Sequence, residues 1–184
     1  MNSRRLILVA ALGALALVLA SCRLTVSPGV SVSTSLSIGA ESSGLIRSFT
    51  PARGTGATYF IGEDIQFRIS IMGSGYLTVV VRDPSGIVSQ IYPAPGFFDP
   101  PRLGPGTYTL PLPWSGYSYT VGPPAGYHEV RAILTPEWPG ASSRVSFRGY
   151  FSSDEFSNAL SIYIGPFPPS RSDVATTYFL AFER

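Results

Sequence analysis

The sequence predicts an all-β protein with the layers of an antiparallel β-sandwich, and three observations lead to this fold class. Gly (19) and Pro (17) are abundant among the 184 residues, which favours short strands joined by turns and disfavours long helices. Apolar and polar residues alternate with a period of two in several segments. Clusters of turn-forming residues separate those segments. We therefore expect one domain over residues 45–184 with an immunoglobulin-like arrangement.

The individual elements follow from the same patterns. The clearest strand is predicted at 64–71, where isoleucine and phenylalanine alternate with polar residues. One short helix is predicted near the C-terminus at 153–160, because Ser153 has the residue type of an N-cap and acidic residues follow it. Residues 45–57 are expected to form a loop, a strand and a second loop. Further strands are predicted at 76–82, 87–92, 107–110, 117–121, 127–135 and 174–182.

The first 21 residues resemble the signal peptide of a bacterial lipoprotein. Arg4 and Arg5 precede an apolar stretch at 6–20, which is too short for a comfortable membrane span. The stretch ends in Leu19-Ala20-Ser21-Cys22, and Cys22 is the one Cys of the chain. The resemblance implies that Cys22 receives diacylglycerol and an N-acyl chain and becomes the first residue of the mature protein. An ordinary secretory signal with an incidental Cys is the less favoured alternative.

The lipoprotein resemblance also implies a location. The lipid would hold the protein to a membrane on the extracytoplasmic side, in the cell envelope. Arg23 follows Cys22, and the absence of Asp at that position implies sorting to the outer membrane if the cell has one. Residues 22–44 are interpreted as the lipidated Cys and a tether. Part of this stretch has the alternation of a possible edge strand.

The charge of the chain argues against nucleic acid as a partner. All 13 basic residues are Arg, against 11 acidic residues. Removal of the leader with Arg4 and Arg5 leaves 13 − 2 = 11 Arg and 11 acidic residues, so the mature chain is near neutral. Nucleic acid binding needs a basic surface, which this composition does not supply.

A series of short motifs in the middle of the chain resembles a known family. The motifs are Gly62-Glu63, Gly75-Tyr76-Leu77, Tyr92-Pro93 and Gly122-Pro123-Pro124-Ala125-Gly126, in that order. They resemble a family of bacterial extracytoplasmic domains known only as a domain of unknown function, over about residues 58–135. The resemblance implies a small β-sandwich displayed outside the cytoplasm. It implies no catalytic residue, because the family has no established activity.

One loop suggests a contact with a partner. Residues 93–105 are rich in proline and contain the adjacent Phe97 and Phe98. Two exposed aromatic side chains on a stiff loop are typical of an interface contact. The alternative, equally weighted, is that both rings fold back and plug the open end of the sandwich.

Other aromatic residues concentrate in the second half of the chain. Trp114, Tyr117, Tyr119 and Trp138 are candidates for stacking on a glycan or on a flat apolar pigment. The competing interpretation, which we favour, is that a small sandwich without disulfides uses such rings to fill its core.

Catalytic and metal sites have little support in the sequence. His128 is the one histidine, and no G-x-S-x-G nucleophile motif accompanies it. Its place in an alternating strand favours a packed, hydrogen-bonded side chain. Only His128 and Met72 would remain as soft ligands if a metal were bound. Glu63 and Asp64 are adjacent and would point to opposite faces of a strand, so they cannot act as a facing acid and base.

These observations favour a non-enzymatic role. The expected function is a structural or interaction subunit of a cell-envelope or surface-layer complex, with an envelope protein as partner and no cofactor other than the lipid on Cys22. Binding of a glycan or pigment is one alternative. A copper-dependent extracellular redox enzyme, by analogy with the sandwich of superoxide dismutases, is another.

Overall fold

The computed structural model describes residues 43–94, 100–139 and 145–184. Strands dominate these ranges, together with one α-helix and a short 3-10 turn at Pro169–Arg171. No helix in the described ranges is both long and apolar enough to cross a membrane. The elements are β1 (Ile46–Pro51), β2 (Thr58–Phe60), β3 (Asp64–Ile65), β4 (Phe67–Ile71), β5 (Tyr76–Arg82), β6 (Ile87–Tyr92), β7 (Gly106–Leu110), β8 (Tyr119–Thr120), β9 (Gly126–Thr135), β10 (Arg148–Tyr150), α1 (Ser153–Ile164) and β11 (Asp173–Phe182).

The strands form a sandwich of two unequal sheets. The larger sheet has six strands in the order β10-β6-β5-β9-β11-β2, and the smaller has three in the order β1-β4-β7. All neighbours are antiparallel except β11 and β2, which run parallel. A separate short pair joins β3 to β8. The predicted all-β, immunoglobulin-like sandwich with one short helix near the C-terminus is thus confirmed.

The main core lies between the two sheets. It takes the side chains of one face of each central strand, such as Val79 of β5 and Ala132 of β9, together with Phe67 and Ile69 of β4. All four side chains are almost completely buried. Because successive residues of a strand point to opposite faces, this alternation places half of each central strand in the core.

A second core lies on the outer face of the six-stranded sheet. Val80 and Ile133, the neighbours of the inward-facing residues, are also fully buried, and they pack against Phe156 and Leu160 of α1. The centre of β9 is therefore covered on both faces, which explains its nearly continuous run of buried residues, including Arg131, whose guanidinium lies over the Phe156 ring.

The helix begins at Ser153 as predicted, but its N-cap lies one residue earlier than the sequence predicted. Ser152, not Ser153, is the N-cap: its side chain accepts a hydrogen bond from the Glu155 amide at 3.3 Å, and the Glu155 carboxylate accepts one from the Ser152 amide at 2.8 Å. This reciprocal capping box satisfies two amides that helix geometry leaves free. The helix also extends to Ile164 rather than ending at 160, because Tyr163 is buried in the second core.

Two predicted strands have different bounds in the structure. The strand at 64–71 is interrupted at Gln66, because β3 pairs with β8 whereas β4 pairs with β1 and β7. The Gln66 carbonyl accepts a hydrogen bond from the Ala52 amide at 2.7 Å, in the register of the β1–β4 pair. The strand at 117–121 shrinks to Tyr119–Thr120, since its partner β3 has only two residues. The predicted alternation of apolar and polar residues is correct, but such alternation does not indicate where a strand changes its pairing partner.

The smaller sheet leaves part of the larger one uncovered. It ends at β7, whereas the larger sheet continues past β5 to β6 and β10. Ile87 and Ser89 of β6 are exposed, and Ile91 is half-buried. The sandwich therefore has an open flank along β6, where the candidate site lies.

Candidate binding site

A pocket of about 90 Å³ opens on the flank beside β6. Trp114, Tyr117 and Tyr119, three of the four predicted stacking residues, line it together with Tyr92. Its remaining walls are mostly aliphatic and proline side chains: Ile91, Pro93, Ala94, Pro101, Pro111, Leu112 and Ser115. No Asp, Glu, Lys, Arg or His side chain lines it among the described residues. We refer to it as the Tyr92 pocket.

The segment after β7 carries the aromatic rim of the Tyr92 pocket. The chain turns at Ser115, whose amide and hydroxyl both donate to the Leu112 carbonyl at 2.9 Å and 2.6 Å. Trp114 is 69% exposed and Tyr117 is 49% exposed at this turn. Tyr119 is half-buried and is fixed by the pairing of β8 with Ile65 of β3. The turn at Ser115 and the pairing of β8 with β3 therefore hold three rings together, while Trp114 and Tyr117 stay exposed.

Trp138, the fourth predicted stacking residue, does not line the Tyr92 pocket. Its ring lies 6.4 Å from that of Tyr76, just beyond the end of β9. Trp138 is half-buried and packs on the sheet. The sequence grouped it with the others by residue type, and the structure assigns it a packing contact.

Tyr92 is the residue of the pocket that sequence reasoning missed. In the pairing of β5 with β6, Val79 faces Tyr92 while the adjacent Val80 faces Gln90, so Ile91 is an extra residue, a β-bulge. Without the bulge, Tyr92 would share the outer face with Gln90 and Val88. With it, the Tyr92 ring joins the core between the sheets. The Tyr92-Pro93 motif drew attention to this position in the sequence, but it did not indicate that the ring points into the core.

The Tyr92 hydroxyl has no hydrogen-bond partner within the described part of the chain. The residue is only 6% exposed, and an unpaired buried polar group costs about 1–3 kcal/mol. Burial raises the pKa of Tyr92 to about 12. Burial, and next the proximity of Tyr92, also raises the pKa of Tyr119. Both phenols stay neutral at physiological pH, and the Tyr92 hydroxyl is an unpaired donor that is enclosed at an apolar site, with less than 1 Å² of accessible surface.

A second void of about 240 Å³ lies beside the first and shares Ile91 and Tyr119 with it. His128 and Asp83 supply its ionisable groups. The His128 ring nitrogen Nε2 lies 3.0 Å from the Pro124 carbonyl, and its ring stacks on Phe179 with centroids 4.7 Å apart. The packed, hydrogen-bonded histidine expected from the sequence is thus what the structure contains.

The ionisable groups of this second void are engaged in structure. Burial lowers the pKa of His128, against smaller opposing effects of the Pro124 carbonyl and Asp83. The Asp83 carboxylate accepts hydrogen bonds from the Ser85 hydroxyl at 2.7 Å and the Ile87 amide at 2.9 Å, which closes the turn before β6. Met72 is 56% exposed and follows β4. Within the described ranges no group of three His, Cys, Asp or Glu residues could hold a metal ion.

Glu63 has a structural role too. Its carboxylate accepts a hydrogen bond from the Phe60 amide at 2.9 Å and forms an ion pair with Arg53. The Phe60 amide, and next Arg53, lower the pKa of this carboxyl. Glu63 thereby anchors the turn between β2 and β3.

The larger sheet also exposes aromatic rings on its outer face, beyond α1. Tyr127 of β9 and Tyr178 of β11 lie with ring centroids 5.1 Å apart. Phe60 and Phe182, paired in register on β2 and β11, continue the row. All four rings are exposed. We call these four residues the outer aromatic strip.

Three predicted site residues lie outside the described residues. They are Cys22, the expected lipidation site, and Phe97 and Phe98, the expected partner contacts. Ala94, the last described residue before the two phenylalanines, and Pro101, the second described residue after them, both line the Tyr92 pocket.

The comparisons with known proteins describe a domain and no activity. None of the curated proteins compared with the chain matches it. One family model does match, over residues 58–137, which run from β2 to just beyond β9 and include the aromatic rim of the Tyr92 pocket. Over these residues the chain is similar to the family described as Domain of unknown function (DUF4384).

Proposed function

We propose that this chain is a lipid-anchored, non-catalytic recognition subunit of the cell envelope, and that the Tyr92 pocket is the site with which it engages an envelope protein. The acyl groups on Cys22 would tether the sandwich, and the pocket would supply the specific contact. Phe97 and Phe98 remain expected contacts of the same partner. Outer-membrane sorting and a surface-layer assembly remain part of this proposal.

One observation carries the proposal more than any other. The bulge at Ile91 turns Tyr92 inward, and the buried Tyr92 hydroxyl then has no partner in the described ranges. Bulges that re-aim a side chain are frequent at functional sites. An unsatisfied buried polar group is costly, and a functional role is one explanation for its presence in a native structure.

The exposed rim supports the same proposal. Trp114 is the most exposed of the large apolar residues in the described ranges. Tryptophan and tyrosine dominate the energetics of protein interfaces. Rings at the mouth of a pocket can bury much of their area when a partner docks, which stabilises the complex by the hydrophobic effect.

Photo-crosslinking in cells tests this proposal. A photoreactive phenylalanine analogue would replace Trp114 in one strain and Tyr150 in another. Tyr150 is the matched control, because it is 68% exposed against 69% for Trp114 but lies on β10, outside the pocket. We expect one recurrent protein adduct at position 114 and none at 150, identified by mass spectrometry. No adduct at 114, or the same adducts at both positions, would contradict the proposal.

A glycan or a flat apolar pigment is a second candidate, since the same rings could stack on it. The convergence of Trp114, Tyr117 and Tyr119 on one pocket favours it over a purely structural use of these residues. An adduct of the position-114 variant with carbohydrate or pigment, and with no protein, would support this candidate instead. The copper-dependent redox alternative gains no support from the described residues.

A further inference from the structure

We infer that the second void is a binding site for an amphiphile with an aliphatic chain and a cationic head group, of the chemistry of a primary alkylamine. The chain lies in the void, and the head group meets Asp83 at its rim. This inference goes beyond the role proposed for the Tyr92 pocket and does not depend on it. It is drawn from the depth, the length and the charge of the second void.

The second void reaches from the open flank towards the main core. Ile65, Phe67 and Phe179 line it, and each is at most 4% exposed. Ile87 and Ser89 of β6 line it as well, and both are exposed. A ligand can therefore enter from solvent beside β6 and bury its apolar part against side chains of the core, which the hydrophobic effect favours.

The second void extends along β6. Ile87, Ser89 and Ile91 border it in succession, and four residues of strand span about 13 Å at about 3.3 Å per residue. Ser89 has the smallest side chain of the three and leaves space where β6 passes the void. An apolar space of this length fits an aliphatic chain, whose carbon atoms need no hydrogen-bond partner. It disfavours a sugar, whose hydroxyl groups need one when they are buried.

Two polar side chains of the second void are engaged with the protein itself. The Thr120 hydroxyl donates to the Asp64 carboxylate at 3.2 Å, and His128 Nε2 lies 3.0 Å from the Pro124 carbonyl. Because burial lowers the pKa of His128, its ring is uncharged at neutral pH. Neither group therefore requires a polar or charged partner inside the void.

The charge at the rim selects the head group. Asp83 is half-buried in the turn between β5 and β6, and the described lining contains no Glu, Lys or Arg. Its oxygen Oδ1 accepts hydrogen bonds from the Ser85 hydroxyl and the Ile87 amide, whereas no described residue donates to Oδ2. A cationic head group can pair with Oδ2 and stay partly hydrated, while an anionic one is repelled. The ligand is therefore cationic at one end and apolar along its length.

The first experiment measures the burial of the chain. It uses residues 22–184 with Cys22→Ala, so that neither detergent nor an attached acyl chain competes for the second void. Hexylamine, octylamine and decylamine are titrated at neutral pH while NMR follows the isoleucine methyl groups. We expect saturable shifts at Ile87 and Ile91 and none at Ile162, which is exposed on α1. Affinity should rise about fourfold for each methylene added, as a buried chain requires.

The second experiment tests the head group with octan-1-ol and octanoate, which have as many carbon atoms as octylamine. We expect octylamine to bind most tightly and octanoate least. Asp83→Asn keeps an oxygen that can accept the two hydrogen bonds of the turn. It should weaken the binding of octylamine about fivefold and leave that of octan-1-ol unchanged. Equal binding of octylamine and octanoate to the parent chain, or an unchanged affinity of Asp83→Asn for octylamine, overturns the inference.

The third experiment fills the site. Ser89→Trp should weaken the binding of octylamine about tenfold or more, because the indole occupies the void. Thr107→Trp is the matched control, since Thr107 is exposed on β7 and lines neither void. Circular dichroism establishes that each variant is folded, and Asp83→Asn keeps the test valid if Ser89→Trp is not.

Three further outcomes contradict the inference. They are the absence of saturable shifts at Ile87 and Ile91, an affinity that does not depend on chain length, and equal binding by the two folded tryptophan variants. Each of them leaves the proposed function standing, because that proposal is measured separately by the adducts at position 114.

Discussion

Tyr92 and His128 are both buried polar residues of the sandwich, but they differ in whether the polar group has a hydrogen-bond partner. The His128 ring has a carbonyl partner and an aromatic ring to stack on. The Tyr92 hydroxyl has neither a donor nor an acceptor among the described residues. A satisfied buried group specifies the fold, whereas an unsatisfied one destabilises it unless something else binds there. This contrast favours Tyr92, rather than His128, as a residue with a role beyond the fold.

His128 should make the stability of the protein depend on pH. Burial holds its pKa in the folded state below the ordinary value of 6.5. Well above pH 6.5 both states are neutral at this residue and it adds no pH dependence. As pH falls below 6.5, the unfolded chain takes up a proton before the folded one does, so the free energy of unfolding falls. We expect the urea midpoint to decrease from pH 8 to pH 5.5, and the decrease to be smaller in His128→Gln.

The lower limit of pH 5.5 keeps other groups out of this measurement. Glu63 and Glu155 have lowered pKa values, and their contribution is lost only as pH falls below about 4.5. A urea midpoint that is constant over the window, or that falls equally in both proteins, would refute the role given to His128.

Gly75 illustrates what a motif residue does for packing. A Cβ atom at this position would lie 2.5 Å from the Thr135 carbonyl oxygen. The backbone of Gly75 also exchanges two hydrogen bonds with Leu103, at 2.9 Å and 2.8 Å. The glycine of Gly75-Tyr76-Leu77 is thus required by close backbone approach at the start of β5. The resemblance identified the motif but not this reason.

At the scale of elements, α1 is held by its buried face. Leu160 is 3% exposed in the second core, while Ile162, two residues on, is 51% exposed. Leu160→Ala should lower the free energy of unfolding by about 2–5 kcal/mol, because it leaves a cavity. The matched change Ile162→Ala should alter it by less than about 0.5 kcal/mol. Chemical denaturation measures both, and equal effects would show that α1 is not docked on this face.

The elements also show what the sequence could and could not predict. β5, β6 and β9 were found within one residue of their observed bounds, because each has clear alternation or a flanking turn. The exchange of sheets at Gln66 was missed, since a strand that changes partners keeps the same pattern of side chains. Three of the four stacking candidates line one pocket, although the sequence favoured core packing for them, and Tyr92 was missed because one extra residue in β6 reverses its direction.

For the whole molecule, the expected anchor defines where any recognition takes place. The native protein should begin at Cys22 and carry a thioether-linked diacylglycerol with an N-acyl chain, since two or three chains are needed for stable attachment. Intact-mass spectrometry of protein extracted from membranes measures this. In detergent phase partitioning we expect the wild type in the detergent phase and Cys22→Ala in the aqueous phase. Retention of residues 1–21, or a mass without lipid, would contradict the expected envelope address.

The bulge at Ile91 has a consequence for how this site would be gained or lost. No particular side chain at position 91 turns Tyr92 inward; the length of the strand does so. Exchanging residues one at a time would therefore leave the phenol where it is, while deleting a single codon would turn it to the outer face of the six-stranded sheet. Among related chains, a gap of one position ahead of Tyr-Pro would separate those with this cavity from those without it, whatever their identity elsewhere.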